Sequence, residues 1–370
     1  MTVIAAFQFP DYPMVMSDML LSGPERPDTN TSLPVVGDVR NIFPEGSGWT
    51  LTGLVQKMAI VADNCVVAWA GSRLGAQAAI RSLKELAQDT PLNSEIVREF
   101  MANLPEDTLR LGISLLGFVK DEGGFTKIAH EPDVELELAD GTPACLAGTG
   151  AALFGRFLSS SHKSRIRGVD ANVHPAQLAY ELGLQTAGVH LRMENANDDQ
   201  LLQFFGGFYE VAVWNGERFT KDRGVTYILW EGNEPSRKGF ARPSLIITTN
   251  YIDDVLLLKS QPLIWTSKDK FNIGQVQLHV SSPVYERAKF DPILTPKDID
   301  HRTPWMCHCI LAMRRDGTVR KLAITDRPKY DGSDLITLDV KEGVVLSINW
   351  KKQFWFDLEQ AIEDPWPTAK

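Results

Sequence analysis

Thr2 can do chemistry that few residues of this chain could do, because removal of Met1 would place it at the N-terminus. An N-terminal threonine can cleave an amide with its own groups: the hydroxyl attacks the carbonyl, and the α-amine accepts the proton, directly or through a water. An α-amino group titrates at about pH 7.7–8.0, so it can serve as a base near neutral pH. Methionine aminopeptidases remove Met before small residues, and we expect Thr2 to be exposed without a propeptide.

Thr2 alone is better explained as an ordinary second residue, because many chains begin with Met-Thr. An enzyme of this kind also needs a cation near the nucleophile, an anion that holds the cation, and a hydrogen-bond donor for the oxyanion. The elements that surround Thr2 must therefore bring such groups to it.

The pattern along the first part of the chain predicts strands and helices in separate runs. Residues 2–9 and 14–18 read as a hairpin, residues 23–50 as a long loop, and the runs on either side of Asp63-Asn64 as a second hairpin. Two helices follow, then three strands, a helical region to about Leu202, and two strands (YEVAVW and TYILWE). Runs of this kind indicate an α+β fold.

The composition of the sequence changes near Glu234, where NEPSRKGFARP contains Pro, Gly and charged residues but little hydrophobic periodicity. Beyond it lie β-rich runs with Gly-containing turns, and a short helix near Leu358–Ile362. We therefore predict two domains, residues 1–233 and a smaller β-rich appendage of residues 234–370.

Four short motifs make the first part resemble the proteasome-type N-terminal-nucleophile (Ntn) hydrolases, over about residues 2–232. The opening TVIAAFQFPDYPMVMSDMLLSG is similar to the family's threonine, strand, turn and second strand ending in Asp18. KMAIVADNCVVAWAGS is similar to its lysine-opened hairpin, with Lys57 and Gly71. Gly148-Thr149-Gly150 takes the place of the family's Gly-Ser-Gly. The resemblance implies a four-layer αββα sandwich.

The resemblance also implies roles for these residues. Thr2 would be the nucleophile, Lys57 would lower the pKa of its amine or hydroxyl, and Asp18 would hold Lys57. The Gly71 N–H would donate to the oxyanion, and Thr149 would hold a water or the α-amine. Each residue has a simpler alternative: a turn cap for Asp18, a solvated hairpin residue for Lys57, and a steric need for positive φ at Gly71.

One segment departs from the family pattern. The family carries an Asp and a Ser shortly before a Gly-Gly, whereas LLQFFGGFYEVAV places Leu202 and Phe205 there. Those polar residues normally support the threonine amine and its water. Asp198 or Asp199 would replace them only if the alignment slips by three or four residues.

Composition excludes several classes of function. The net charge of −9 disfavours a nucleic-acid partner, and no apolar run approaches the ~18 residues of a membrane span. The N-terminus lacks the pattern of a signal peptide, and four cysteines in 370 residues fit a reducing cytoplasm. Cys307 and Cys309 have the spacing of one face of a strand, so we expect neither a metal nor another cofactor.

The expectation is therefore a threonine-type amide hydrolase, acting on peptides or proteins, that assembles into a homo-oligomer as the resembled family does. Two alternatives stay open. The chain could be a catalytically inactive proteasome-like subunit or scaffold, as Leu202 and Phe205 suggest, or the same fold could hydrolyse a small amide. The most useful observation is whether the mature chain starts at Met1 or at Thr2, because a retained Met1 would exclude Thr2 as the nucleophile.

Overall fold

The computed structural model has an α+β fold with several antiparallel sheets. It describes residues 2–9, 12–24, 31–39, 42–43, 46–138, 140–161, 174–196, 199–221, 224–231, 242–267, 270–285, 294–313, 317 and 319–363. No helix in these ranges is long and apolar enough to cross a membrane.

The strands of the first half confirm the predicted hairpins and add short pieces between them. They are β1 (Ile4–Phe7), β2 (Met14–Asp18), β3 (Leu20–Pro24), β4 (Ser32–Leu33), β5 (Gly37–Asp38), β6 (Trp49–Leu54), β7 (Met58–Ala62), β8 (Cys65–Gly71), β9 (Ile113–Asp121), β10 (Gly124–His130), β11 (Val134–Glu137), β12 (Pro143–Ala147), β13 (Tyr209–Trp214), β14 (Phe219–Lys221) and β15 (Val225–Glu231). The predicted loop 23–50 thus carries strand residues, and β3 pairs with β6.

The second half is β-rich, as predicted, and ends in a helix. Its strands are β16 (Arg242–Ile252), β17 (Val255–Ser267), β18 (Lys270–Ile273), β19 (Gln277–Ser281), β20 (Trp305–Met313), β21 (Val319–Asp326), β22 (Ile336–Lys341) and β23 (Val344–Trp350). The α-helices of the whole described chain are α1 (Arg73–Asp89), α2 (Ser94–Ala102), α3 (Glu106–Arg110), α4 (Ala151–Ser161), α5 (Pro175–Ala196), α6 (Asp199–Leu202) and α7 (Lys352–Glu363).

Three sheets carry most of the fold. The first has the strand order β11-β12-β1-β2-β13-β14, and the second has the order β10-β9-β8-β7. Alternation along β1 sends Ile4 and Ala6 into a cluster shared with Val66, Ala68 and other residues of the second sheet. The first and second sheets therefore pack face to face.

Helices pack against both of these sheets. Ala79, Ile80 and Leu83 of α1 pack on the second sheet, against residues that include Trp69 and Leu115. Helices α4 and α5 pack on the first sheet, in a cluster with Ala5 and Phe7 of β1 and with Val3, which precedes β1. The amphipathic pattern predicted for α1 thus buries one stripe, as a helix on a sheet should.

The third sheet has the order β18-β17-β16-β15-β20-β21, with β19 paired to β17. It packs on the far side of α5: a Cβ added at Gly188 would lie 2.8 Å from Cys307 Sγ, while one at Gly183 would lie 2.5 Å from Val211 of β13. Buried side chains therefore surround α5 on most sides, and one core cluster runs from β1 through α5 to β20.

Strand β15 links the two predicted domains. It pairs antiparallel with β16 and parallel with β20, although it precedes the predicted boundary at 233/234. A single sheet thus contains strands from both sides of that position. Most of the segment NEPSRKGFARP lies outside the described residues, and the two-domain division stays a prediction.

Candidate functional site

Asp18 and Lys57 form a buried ion pair. Asp18 is the last residue of β2, and Lys57 immediately precedes β7; both side chains are inaccessible to solvent. Lys57 Nζ lies 2.9 Å from Asp18 Oδ1. The carboxylate also accepts three backbone N–H groups, from Val3 (2.9 Å), Gly206 (3.0 Å) and Leu20 (3.3 Å). The structure therefore brings together two predicted site residues and satisfies the anion fully.

Burial works against charge on both partners. It raises the pKa of Asp18, against the opposing effects of Lys57 and the backbone donors. It lowers the pKa of Lys57, against the attraction of Asp18 and of a second carboxylate, Glu210. The attraction between the two partners therefore opposes the effect of burial and favours the charged form of each.

The turn Gly148-Thr149-Gly150 wraps around Thr2. The Thr2 backbone nitrogen donates to Thr149 Oγ1 at 3.1 Å, and the Thr2 carbonyl accepts the Gly150 N–H at 3.0 Å. Gly148 has φ +100°, and a Cβ there would lie 2.2 Å from the Thr2 carbonyl oxygen. The Thr2 nitrogen is an amide in the chain with Met1; in a processed chain it would be the α-amine, facing the same hydroxyl.

Thr2 reaches the ion pair through its neighbour. The Val3 N–H bonds to Asp18 Oδ1, and the Val3 carbonyl accepts the Asp18 N–H at 2.9 Å. The Thr2 side chain is 1% exposed, and its Oγ1 has no hydrogen-bond partner among the described residues. The hydroxyl is thus buried and is not hydrogen-bonded to the charge pair.

Gly71 ends the strand that flanks the lysine. The Lys57 carbonyl accepts the N–H of Trp69 at 2.9 Å, two residues before Gly71. Gly71 has φ +90° and lies so close to Gly112 that a Cβ would come within 2.1 Å of the Gly112 carbonyl oxygen. Ser72 caps α1 directly after it. The steric need for glycine is therefore real, and its oxyanion role stays a prediction.

Glu194 is a site residue that the sequence did not reveal. It lies near the end of α5, is 1% exposed, and accepts the Gly207 N–H on Oε2 at 2.9 Å. Burial, aided by the charge of Asp18, raises its pKa to about 8. Asp18 and Glu194 thus bind the consecutive N–H groups of Gly206 and Gly207. The Gly206-Gly207 pair was recognised in the sequence, but the periodicity of the helix does not indicate that Glu194 binds it.

No polar side chain occupies the positions of Leu202 and Phe205. Leu202 is 40% exposed. Phe205 is fully buried, and its ring would lie 2.6 Å from a Cβ added at Gly150. Asp198 and the side chain of Asp199 lie outside the described residues.

A second, partly buried ion pair is linked to Gln56, the residue before Lys57. Lys221 Nζ bonds to Glu210 Oε1 at 2.6 Å and to the Gln56 side-chain oxygen at 2.8 Å. Tyr251 donates its hydroxyl to the same Glu210 oxygen at 2.9 Å. These residues come from four separate strands or loops, so their meeting depends on sheet pairing that local patterns do not indicate.

The Cys307-His308-Cys309 run forms part of β20, as predicted. Both thiols are buried on one face, with the sulfurs 4.0 Å apart, and the pKa of the Cys309 thiol is raised well above its ordinary value, chiefly by burial. His308 faces the other way and accepts the indole N–H of Trp230 at 3.3 Å. No group of three or more His, Cys, Asp or Glu within the described ranges could hold a metal.

Neither family models nor curated proteins match the chain. The interpretation of the site therefore depends on its geometry and on the motif order along the sequence.

Proposed function

We propose that the chain is an N-terminal-threonine amide hydrolase of the proteasome type, acting on peptides or proteins through Thr2 after removal of Met1. The observation that carries the proposal is that two other segments meet at residues 2 and 3 and that a third segment holds one of them. Thr149 Oγ1 accepts the Thr2 N–H, and Asp18, itself paired with Lys57, accepts the Val3 N–H. An ordinary second residue would not require a turn and a carboxylate that is paired with a fully buried lysine.

The residues have distinct roles in the proposed reaction. Thr2 Oγ1 attacks the scissile carbonyl while its α-amine takes the hydroxyl proton. The tetrahedral intermediate then breaks the C–N bond, and the leaving amine takes that proton. Water hydrolyses the remaining ester on Thr2, which releases the acid half of the substrate and restores the hydroxyl. Lys57 supplies positive charge that lowers the pKa of the attacking group, and Asp18 keeps it in place. Thr149 orients the amine, and the Gly71 N–H donates to the oxyanion.

The layer order is consistent with this proposal. We infer a four-layer αββα sandwich, in which α1 and α2 cover the sheet of β7–β10 and α4 and α5 cover the sheet of β1 and β2. The core clusters on either side of each sheet support that order. The resembled family assembles into rings through such helices, and we extend the proposal to a homo-oligomer.

A catalytically inactive scaffold is the second candidate. It is favoured by the 1% exposure of Thr2 and by the apolar Leu202 and Phe205 in place of the family's polar pair. The same fold acting on a small amide is a variant of the first candidate, which a substrate screen distinguishes from it.

Two measurements on the purified protein test the proposal. Intact-mass analysis reports whether Met1 is removed. A peptide epoxyketone then labels only a residue that carries both a hydroxyl nucleophile and an adjacent free amine. We expect stoichiometric labelling on residue 2, and its loss in Thr2→Ala.

Ser17→Ala is the matched control, because Ser17 is another buried hydroxyl of the first sheet, adjacent to Asp18. Its labelling should match that of the unaltered protein. A retained Met1 would overturn the proposal in favour of the scaffold. Turnover of peptides that persists in Thr2→Ala would overturn the role of Thr2 as the nucleophile.

A further inference from the structure

Gln56, the residue before Lys57, is held on every polar atom of its side chain. The side-chain nitrogen donates to the carbonyls of Asp254 (2.6 Å) and Ser281 (2.7 Å), and the side-chain oxygen accepts Lys221 Nζ. Its backbone carbonyl also accepts the indole N–H of Trp69 at 3.3 Å. Gln56 is 1% exposed, so these bonds form away from competing water.

The two carbonyls that accept from the Gln56 side chain belong to the third sheet. Asp254 lies in the turn between β16 and β17, and Ser281 ends β19, which pairs with β17 beside that turn. The next residues continue the contact: Pro283 forms a parallel bridge with Gln56, and Tyr285 packs in the cluster of α1. The C-terminal half therefore reaches across the edge of the second sheet where Lys57 lies.

We propose that the third sheet is a positioning part of the catalytic site, which acts by holding Gln56 and thereby fixes the place of Lys57 beside Asp18. This inference rests on the proposed function for its catalytic consequence. It gives the C-terminal half, which the resembled family does not explain, a task within the same chain.

The chemistry requires such an anchor. Lys57 immediately precedes β7, so the residue before it sets where the chain enters the strand. The carboxylates that act on it are Asp18 and Glu210, and Lys221 connects Glu210 to Gln56. A displacement of about 1 Å at a catalytic cation can cost a hundredfold in rate. Holding the preceding residue from three directions removes that freedom.

The test compares Gln56→Met with Gln261→Met in the full-length protein. Gln261 is a matched control: it is also 1% exposed, and its side-chain nitrogen and oxygen bond to the backbone of Val345 in β23 instead of to the segment around Lys57. Two readouts are taken from each variant: the rate of epoxyketone labelling at Thr2, and the titration midpoint of Lys57 followed by the NMR signal of its labelled ε-carbon.

We expect Gln56→Met to slow labelling by at least about tenfold. It should also move the Lys57 midpoint upward, because a loosened segment admits water and relieves the burial of the charge. Gln261→Met should change neither. Equal behaviour of the two variants would overturn the inference. If the parent protein is not labelled but the Lys57 midpoint still moves, the positioning role stands and the proposed catalysis fails.

Discussion

Glu194 has the titration behaviour of a buried carboxyl that is neutral in the folded protein. Its pKa is raised from 4.5 to about 8, chiefly by burial, so the folded state holds a proton that the unfolded state has released. Between these two values, stability must fall as the pH rises, by up to about 1.4 kcal/mol per pH unit. The lowered pKa of His190, about 4, has the opposite effect, but only below pH 6.5.

We therefore predict that Glu194→Gln removes a pH dependence between pH 6.5 and 8. The difference in unfolding free energy, variant minus parent, should increase by about 2 kcal/mol from pH 6.5 to pH 8, because the amide of the variant cannot ionise. Urea unfolding at several pH values measures this difference. Glu217→Gln, an exposed substitution in the turn after β13, is the control. Parallel curves for Glu194→Gln and the parent would contradict the assignment.

At the residue scale, the order of short motifs along the sequence was enough to select Asp18, Lys57 and Thr149 as candidate site residues. The structure connects each of them to residue 2 or 3 directly or through one intervening side chain. Glu194 and Gln56 were missed because their partners lie 13 and about 200 residues away, and neither residue has a local pattern.

The turn between β12 and α4 is the element that shapes the nucleophile's surroundings. Gly148 has a positive φ and touches the Thr2 carbonyl, whereas Gly216, in the turn after β13, has φ +105° with nothing within 4 Å of a Cβ. Alanine at either position meets a backbone cost of about 1–2 kcal/mol. Only at Gly148 does the new methyl group also collide with a neighbour.

We predict that Gly148→Ala destabilises the protein by about 1–3 kcal/mol more than Gly216→Ala does, from the cost of overpacking. It should also abolish labelling of Thr2, since the turn must move away from residue 2. Urea unfolding and epoxyketone labelling of both variants test this. Equal losses of stability with labelling intact would show that the turn does not constrain Thr2.

Element prediction succeeded where the signal is local. The hairpins β1-β2 and β7-β8 and the helices α1 and α2 follow from periodicity and turn residues. Strand β12 was not predicted, because its five residues adjoin a glycine-rich stretch. TYILWE was assigned to the first domain because of its place in the chain order. Its partner strands, β16 and β20, could not be predicted, because strand pairing depends on packing between segments distant in the sequence.

The whole molecule is joined across the predicted boundary by backbone pairing and by a common core. Strand β15 lies between β16 and β20, and α5 packs between the first and third sheets. Opening the third sheet would therefore expose apolar surface of α5 and release Gln56 at the site. Two separately stable domains would share few strand pairings and little buried core.

We accordingly predict that weakening the third sheet lowers protection throughout the chain. Ile310→Ala removes a fully buried side chain of β20 and should cost about 2–5 kcal/mol. If the halves unfold together, hydrogen exchange should accelerate in β8 of the second sheet as much as in β20 itself, because both open through the same global transition. Leu346→Ala, at a position 46% exposed in β23, is the control and should leave both rates nearly unchanged. Faster exchange confined to the strands after residue 242 would contradict the coupling, and would instead favour the two independent domains that the sequence predicts.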